Sequence, residues 1–230
     1  VNVSTEGLQR KECGAGGIVG LLNNSGNISY TYATGIVGTT ASQMAGGICG
    51  RLYKGGITNS LALNAEINGE DTGRIGGYSS NKGTFSDNYA SPEIQVNGST
   101  VDDGAANDAN GNPEVNLGNF GSIFTWGDGW NTGDGTHLPQ LKIQTEGTDG
   151  KTTYDNWPTG DGYTSQPSLD ATRYLIATGF EGDGDGSSDN PYKIANRAQL
   201  AYLAKQVNDK KENDGKTDDG KANGYEGKYF

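Results

Sequence analysis

Through the first hundred positions, apolar residues come in groups of two to four, each closed by Gly, Asn, Ser or Thr-Gly. No group sustains a helical period, and Val, Ile, Tyr and Leu dominate them, so the pattern predicts short strands. The groups also recur in order. "AGGIVGLLNNSGNISYTYATGIVG", "AGGICGRLYKGGITNSLALNAEING" and "TGRIGGYSSNKGTFSDNYASPEIQVNG" form three rows. Ile18, Ile48 and Ile75 align, as do Ile28, Ile57 and Phe85, then Ala33, Ala62 and Ala90, then Val37, Ile67 and Val96, a period of 27 to 30 residues. None of the short pieces buries an apolar side alone; stacked row on row, each pairs with its counterpart and the apolar ladders line one core. The expected fold is all-β, a β-solenoid of about 28-residue coils that advances one strand spacing, ~4.8 Å, per row, with its hand undetermined. Row lengths vary between Ala33/Ala62/Ala90 and Val37/Ile67/Val96, which predicts an outward turn there.

The repeat also disposes of a nucleotide-binding reading. "CGAGGIVG" at the head of the first row resembles a Gly-rich phosphate loop, but the block recurs as "AGGICG" and, less fully, as "GRIGG", with no helix pattern behind it. A phosphate loop occurs once per site, whereas a corner that needs close backbone approach occurs once per row.

Beyond residue 98 the pattern changes three times. Residues 99–119 are polar and rich in turn residues, predicting a surface loop. Residues 120–143 are apolar and aromatic, and the expectation for 99–143 is a loop followed by an aromatic cap in which Phe120, Phe124, Trp126, Trp130, Leu138 and Leu141 cover the last row. Residues 144–172 read as an irregular linker with Tyr154, Trp157 and Tyr163 as anchors. Residues 173–230 open with "YLIATGF", read as a strand, and continue into "IANRAQLAYLAKQVN", the one convincing helix. Asn196 is its N-cap with Gln199 at the capping-box position, and Leu200, Leu203, Ala204 and Val207 share one face.

Composition narrows the chemistry. Of 230 residues 39 are glycine, 32% are hydrophobic, and the net charge is −11. An acidic surface without clustered Lys and Arg disfavours nucleic acid and anionic membranes. No apolar run approaches the ~18 residues of a membrane-spanning helix, so membrane insertion is not expected. Cys13 and Cys49 are too few for a disulfide scaffold, and one bridge between them stays open. Val1 begins in mid-pattern, which predicts an internal piece of a longer protein.

Catalytic signatures are sparse. His137 is the one histidine, and neither His-Glu-x-x-His nor Gly-x-Ser-x-Gly occurs. Cys49 occupies the position of Val19 in the repeat and reads as a core residue rather than half of a Cys–His dyad. Arg51, Lys54, Glu66, Glu70, Asp71, Arg74, Lys82, Asp87 and Glu93 do not recur in register, so no carboxylate cluster of a polysaccharide-processing β-helix is evident. The chain is therefore read as not an enzyme.

Three candidate sites remain. Asp183, Asp185, Ser187 and Asp189 alternate oxygen side chains as a Ca²⁺ loop does, although the twelfth position carries Ile194 instead of a bidentate Glu; "DANGNPE" at 108–114 is a weaker version. Trp126 and Trp130 are either cap residues or a sugar-stacking platform. Tyr30, Tyr53 and Tyr78, next to the aligned Tyr32, Leu61 and Tyr89, either pack on the rows or form an exposed recognition face.

"AGGIVG…GNIS…YATGIVG" and "GGICG…GGITNSLA" resemble the GLUG motif over residues 14–98. The third row departs from it with "RIGGYSS" at the corner, as terminal repeats do. The resemblance implies a repeat of bacterial surface and secreted proteins, some of them adhesin-like and some of them peptidases for which such coils are accessory modules. It also implies that "NPY-x-I…QL-x-x-LA…VN…Y-x-GK-x-F", ending through Tyr225, Gly227, Lys228 and Phe230, is the N-terminal cap of a further unit. The expected role is a non-catalytic structural or adhesive module, at the cell surface or secreted, whose partners are host or matrix glycans or proteins or a neighbouring cell. A carbohydrate-binding module is the second expectation. Because the first row begins without such a cap, the C-terminal segment is also expected to cover that end, within the chain or head-to-tail on a neighbour.

Overall fold

The computed structural model describes Val3 and residues 14–123, 125–132, 135–146, 152–155, 169–212 and 228–230. Cys13, Phe124, Trp157, Tyr163, Tyr225 and Gly227 lie outside the described residues. The fold is predominantly β, with one α-helix among the described residues.

The first two rows supply three strands each and the third row five, and each strand pairs in parallel with its counterpart in the adjacent row. The first sheet is β1 (Ala15–Gly16), β4 (Met44–Gly46) and β7 (Asp71–Gly73). The second is β2 (Val19–Leu22), β5 (Cys49–Leu52) and β8 (Gly76–Ser79). The third and largest joins β3 (Gly26–Gly38), β6 (Gly55–Asn68) and, from the third row, β9 (Gly83–Ser86), β10 (Tyr89–Ala90) and β11 (Gln95–Val96). The register matches the sequence alignment: Ile28↔Ile57↔Phe85, Ala33↔Ala62↔Ala90 and Val37↔Ile67↔Val96 are all paired. Ile18 N–H donates to the Ile48 carbonyl and Ile48 N–H to the Ile75 carbonyl, 3.0 Å each. Val3 adds a parallel bridge to Val37 on the free side of the first row.

Glycines hold the first two sheets together. A Cβ at Gly14 would lie 2.6 Å from the Gly50 carbonyl carbon, so backbone packs on backbone between them. One position bends the long third sheet: Tyr30, Asn59 and Asp87 stand at the same register with φ of 52°, 46° and 53°. Asn and Asp tolerate this left-handed region, whereas a bulky aromatic there costs about 1 kcal/mol. Tyr30→Asn is accordingly expected to raise stability by about 1 kcal/mol, measured by urea denaturation; an unchanged or lower midpoint would show that Tyr30 gains more from its ring than its backbone loses.

Where an outward turn was expected, the strand runs on in the first two rows, while in the third a turn at Pro92–Glu93 separates β10 from β11. The register shifts between Gly35 and Ile36, and Ala65 is the exposed extra residue of a β-bulge inside β6. A bulge absorbs one residue without opening the ladder.

Two cores result. The first lies inside the rows, from Ala15 through Ile28, Ile48, Ile57 and Ile67 to Ile94. The second lies on the outer side of the third sheet, where Leu61 and Leu63, with Tyr32 and Tyr89 beside them, meet Val115, Phe120, Trp126, Leu138, Ala171 and Leu175. Covered on both faces, the middle of β6 is buried at Ser60 through Asn64 without alternation.

This second core corrects the expected cap. The aromatic segment packs on the flank of the rows rather than over their end, and Leu141 is exposed. The end is covered instead by the polar stretch expected to be a surface loop. After β12 (Ser99–Thr100), which folds back on β11, the chain crosses the third row. Ile75 N–H donates to the Ala109 carbonyl (2.8 Å), Asn88 N–H to that of Ala106 (2.8 Å) and Ala90 N–H to that of Asn112 (3.0 Å). Arg74 fixes this crossing. Its guanidinium donates to the carbonyls of Asn110, Val101, Asp103 and Gly111 and is 0% exposed. Burial pulls its pKa down, and Asp108, Asp103 and Asp102 pull it back up.

The remaining elements are β13 (Trp130–Asn131) paired with β14 (Gln140–Leu141), the antiparallel hairpin β15 (Ile143–Glu146) and β16 (Thr152–Asp155), a 3₁₀ turn at Ala171–Arg173 and α1 (Arg197–Glu212). The expected strand at "YLIATGF" is absent: that stretch is the end of the 3₁₀ turn and an irregular run, with Leu175 and Ile176 buried. The boundary at 172/173 does not hold either, because Ala171 and Leu175 share one core. The α1 cap is as expected, Asn196 Oδ1 accepting from Gln199 N–H (3.1 Å), while Gln199 Oε1 reaches back to Ala195 N–H (2.6 Å). The buried face is not. Ala198 and Gln199 are buried and Leu200 is 57% exposed. A hydrogen bond from Ala177 N–H to the Ala198 carbonyl (3.0 Å) draws the first turn in on its small residue and sets the rotation of the helix.

The described residues of the C-terminal segment, 173–212 and 228–230, do not sit at the free side of the first row. It packs near the third row: Leu117 N–H donates to the Ile176 carbonyl (3.0 Å), and Arg197 pairs with Glu93 at 3.9 Å. Phe180, Tyr192, Tyr202 and Phe230 form an aromatic cluster within the segment. Among the described residues, this placement replaces the expectation that the segment covers the start of the rows within its own chain.

Candidate functional site

Trp126 leaves the candidate sugar platform. It is 3% exposed, its indole N–H donates to the Phe120 carbonyl (3.2 Å), and its ring meets Trp130 at 5.4 Å and Tyr32 at 6.2 Å between centroids. Trp130 is half-buried in the same cluster, so the pair offers no open stacking surface. Burial also raises the Tyr32 pKa, with the Tyr174 phenol adding to it.

The proposed Ca²⁺ ligands do not converge. Asp185 Oδ1 accepts from Ser187 N–H (2.8 Å), Ser187 Oγ from Asn190 N–H (3.1 Å), and Asn190 Nδ2 donates to the Asp183 carbonyl (3.0 Å). These are the bonds of a self-contained turn, further tied by Lys228 Nζ on the Asp185 carbonyl (2.7 Å). Asp185 is held below the usual carboxylate range by Ser187. Among the described residues no three His, Cys, Asp or Glu side chains gather as a metal site, and Asp183, Asp185 and Asp189 are among those residues. At 108–114, Asp108 likewise caps its own loop, accepting from the N–H groups of Ala105, Asn110 and Gly111.

Cys49 is a free, buried thiol whose Sγ–H donates to the Arg51 carbonyl (3.2 Å). Burial pushes its pKa up to about 11, which makes it a poor nucleophile. His137 stands beside the Thr136 hydroxyl (Nδ1 to Oγ1, 2.8 Å), and its backbone forms an isolated antiparallel β-bridge with that of Asp170.

The tyrosines separate. Tyr32 and Tyr89 are packed under the aromatic segment, and Tyr30 stands at the bend of the third sheet. Tyr53 and Tyr78 are 41% and 39% exposed and both neighbour Arg51, whose guanidinium carbon is 5.3 Å from the Tyr53 ring centroid and 5.6 Å from that of Tyr78. The second sheet produces this arrangement: Leu21, Arg51 and Tyr78 are register partners. The first sheet brings Met44 opposite Asp71, with Gln43 and Glu70 immediately before them. Between these two sets lies a groove of about 280 Å³ lined by Gln43, Met44, Arg51, Glu70, Asp71 and Tyr78. Arg51 Nε and Gln43 Oε1 are both buried and have no hydrogen-bond partner among the described residues.

No family model, curated protein or solved structure matches the chain. The GLUG resemblance therefore stands on the three rows alone. Of the groove residues the sequence singles out only Tyr78 as a binding candidate, with Tyr53 beside the groove on Arg51. Arg51, Glu70 and Asp71 read there as charges out of register; Arg51 follows the glycine corner of the second row, whereas Glu70 and Asp71 precede that of the third.

Proposed function

We propose that the three rows are coils of a β-solenoid and that the chain is a non-catalytic structural and adhesive module of a bacterial surface or secreted protein. The observation that carries the reading is the common parallel register of all three rows, from Ile28 to Phe85 and from Val37 to Val96. Stacked units of this kind make a stiff body whose sides display a fixed array of side chains. The GLUG resemblance supplies the surface setting. None of the helices described is long and apolar enough to cross a membrane.

Carbohydrate binding is the second reading, favoured by the groove lined by Arg51 and Tyr78, with the exposed ring of Tyr53 next to Arg51. Beads coated with the chain test the adhesive role. They are expected to be retained on matrix proteins or glycan-bearing cells, saturably and in competition with the soluble chain. Retention equal to that of uncoated beads on every surface would reduce the module to a spacer.

A further inference from the structure

The two ends of the row stack differ. The third row is closed: the carbonyls of Ala106, Ala109 and Asn112 in the crossing segment accept from Asn88, Ile75 and Ala90, and the buried Arg74 pins that segment down. The first row is open. Among the described residues only Val3 pairs with its free side, at Val37, which leaves Gly26–Gly35 of β3 without a strand neighbour there. Side chains record the same difference. Ile18 is 47% exposed, whereas its counterparts Ile48 and Ile75 are fully buried, and Leu21 and Tyr30 of the first row are exposed as well.

An open edge is ordinarily blunted by charge, by proline or by brevity. Here none of these applies. β3 is 13 residues long, and from Cys13 to Gly50 the chain carries no Asp, Glu, Lys, Arg or Pro, although 20% of all its residues are charged. The closed end is the reverse, with Asp102, Asp103 and Asp108 gathered around Arg74.

Charge and closure together select the occupant. A charged partner finds no counter-charge along this edge, whereas a second copy brings an edge that is equally neutral. Repulsion between two chains of net charge −11 is screened over about 8–10 Å at physiological ionic strength, and the rows that meet hold no charge. A copy's third row is closed, and the described part of its C-terminal segment is engaged beside that row. What a copy has to offer is its own first row.

We propose that the free edge of the first row is a self-association surface on which two copies of the chain meet head to head. A two-fold axis that keeps both cores on one side of the shared sheet reverses strand direction, so β3 pairs antiparallel with β3 of the copy. The contact is isologous, uses up both open edges and stops at two. It needs only the observed register and the closed third row, and is independent of the adhesive role.

The test is sedimentation equilibrium of the whole chain from micromolar to near-millimolar concentration, with isotope-filtered NMR on a mixture of labelled and unlabelled chains. A reversible equilibrium between 24.0 kDa and twice that mass is expected, with no larger species and with Hα–Hα contacts between copies within residues 26–35. Ser29→Lys sets a charge on an exposed edge side chain and is expected to weaken the dimer tenfold or more, as is Ile18→Lys. Thr100→Lys, exposed at the closed end, is expected to leave it unchanged. Melting temperatures at the lowest concentration check that each variant folds; should Ile18→Lys fail to, Ser29→Lys carries the comparison. A mass of 24.0 kDa throughout, growth beyond two copies, contacts between copies that involve the third row or residues 173–212, or a dimer indifferent to Ser29→Lys overturns the proposal.

Discussion

Arg74→Ala is expected to lower the melting temperature by roughly 10 °C. The side chain is fully buried, and its three nitrogens donate to four carbonyls of the crossing segment at 2.6–3.2 Å. Truncation leaves those acceptors without partners and opens a void under the loop, a loss of about 3 kcal/mol or more, and each kcal/mol shifts a domain of this size by roughly 2–4 °C. Arg74→Lys should recover only part, because one ammonium cannot span the positions that a planar guanidinium reaches. Hydrogen exchange gives the local readout. The amides of Ile75, Gly76, Asn88 and Ala90, which donate into the segment, should lose protection before those of β3 and β6. A variant that melts with the native chain and keeps those amides protected would show that the segment does not depend on its arginine.

Gly46→Ala is expected to cost about as much, by another route. A Cβ on Gly46 would collide with the Cys49 carbonyl oxygen and lie 2.5 Å from Gly77 N and 2.8 Å from Gly76 C. All three are backbone atoms, so no side-chain rotation relieves the clash, and the corner between β4 and β5 must open or the second and third rows must part. Overpacking of this kind costs about 1–3 kcal/mol and more where the surroundings cannot yield. Gly179→Ala is the matched control, since a Cβ there meets nothing within 4 Å; it should change stability by no more than about 0.5 kcal/mol. Equal effects from the two would mean that the corners tolerate side chains and that their glycines answer to turn geometry instead.

These two residues mark the limits of what the sequence discloses. Arg74 stands where the first two rows carry Gly17 and Gly47, with Ile75 aligned to Ile18 and Ile48. From the sequence it is a departure from the repeat. In the structure it is the reason the repeat can stop, because the last row has no successor to approach closely and uses the space for an arginine. The row register was legible because each apolar position must face the same core in every row, and a slip by one residue would turn Ile57 or Val96 outward. The cover of the third row was not legible, because residues 99–112 act through backbone carbonyls of Ala106, Ala109 and Asn112, which composition does not report. The face of α1 was misread for a related reason: a backbone bond at Ala198 outweighs the apolar stripe that starts at Leu200.

The candidate groove divides in the same way. Tyr53 and Tyr78 stand out as exposed aromatics beside a strand. Gln43, Glu70 and Asp71 carry no signal of their own, since they reach the groove from the first sheet only because the glycine corner folds that sheet back on the second. Two-sheet sites of this kind become visible once the register between rows is known.

That register is measured most directly by nuclear Overhauser contacts between backbone protons of the isotopically labelled chain. Parallel stacking of the rows predicts Hα–H^N contacts that join Ile28 to Ile57 to Phe85, Ala33 to Ala62 to Ala90, and Val37 to Ile67 to Val96. Strong Hα–Hα contacts of antiparallel pairing within residues 15–96 of one chain, or parallel contacts at any other spacing, would contradict it.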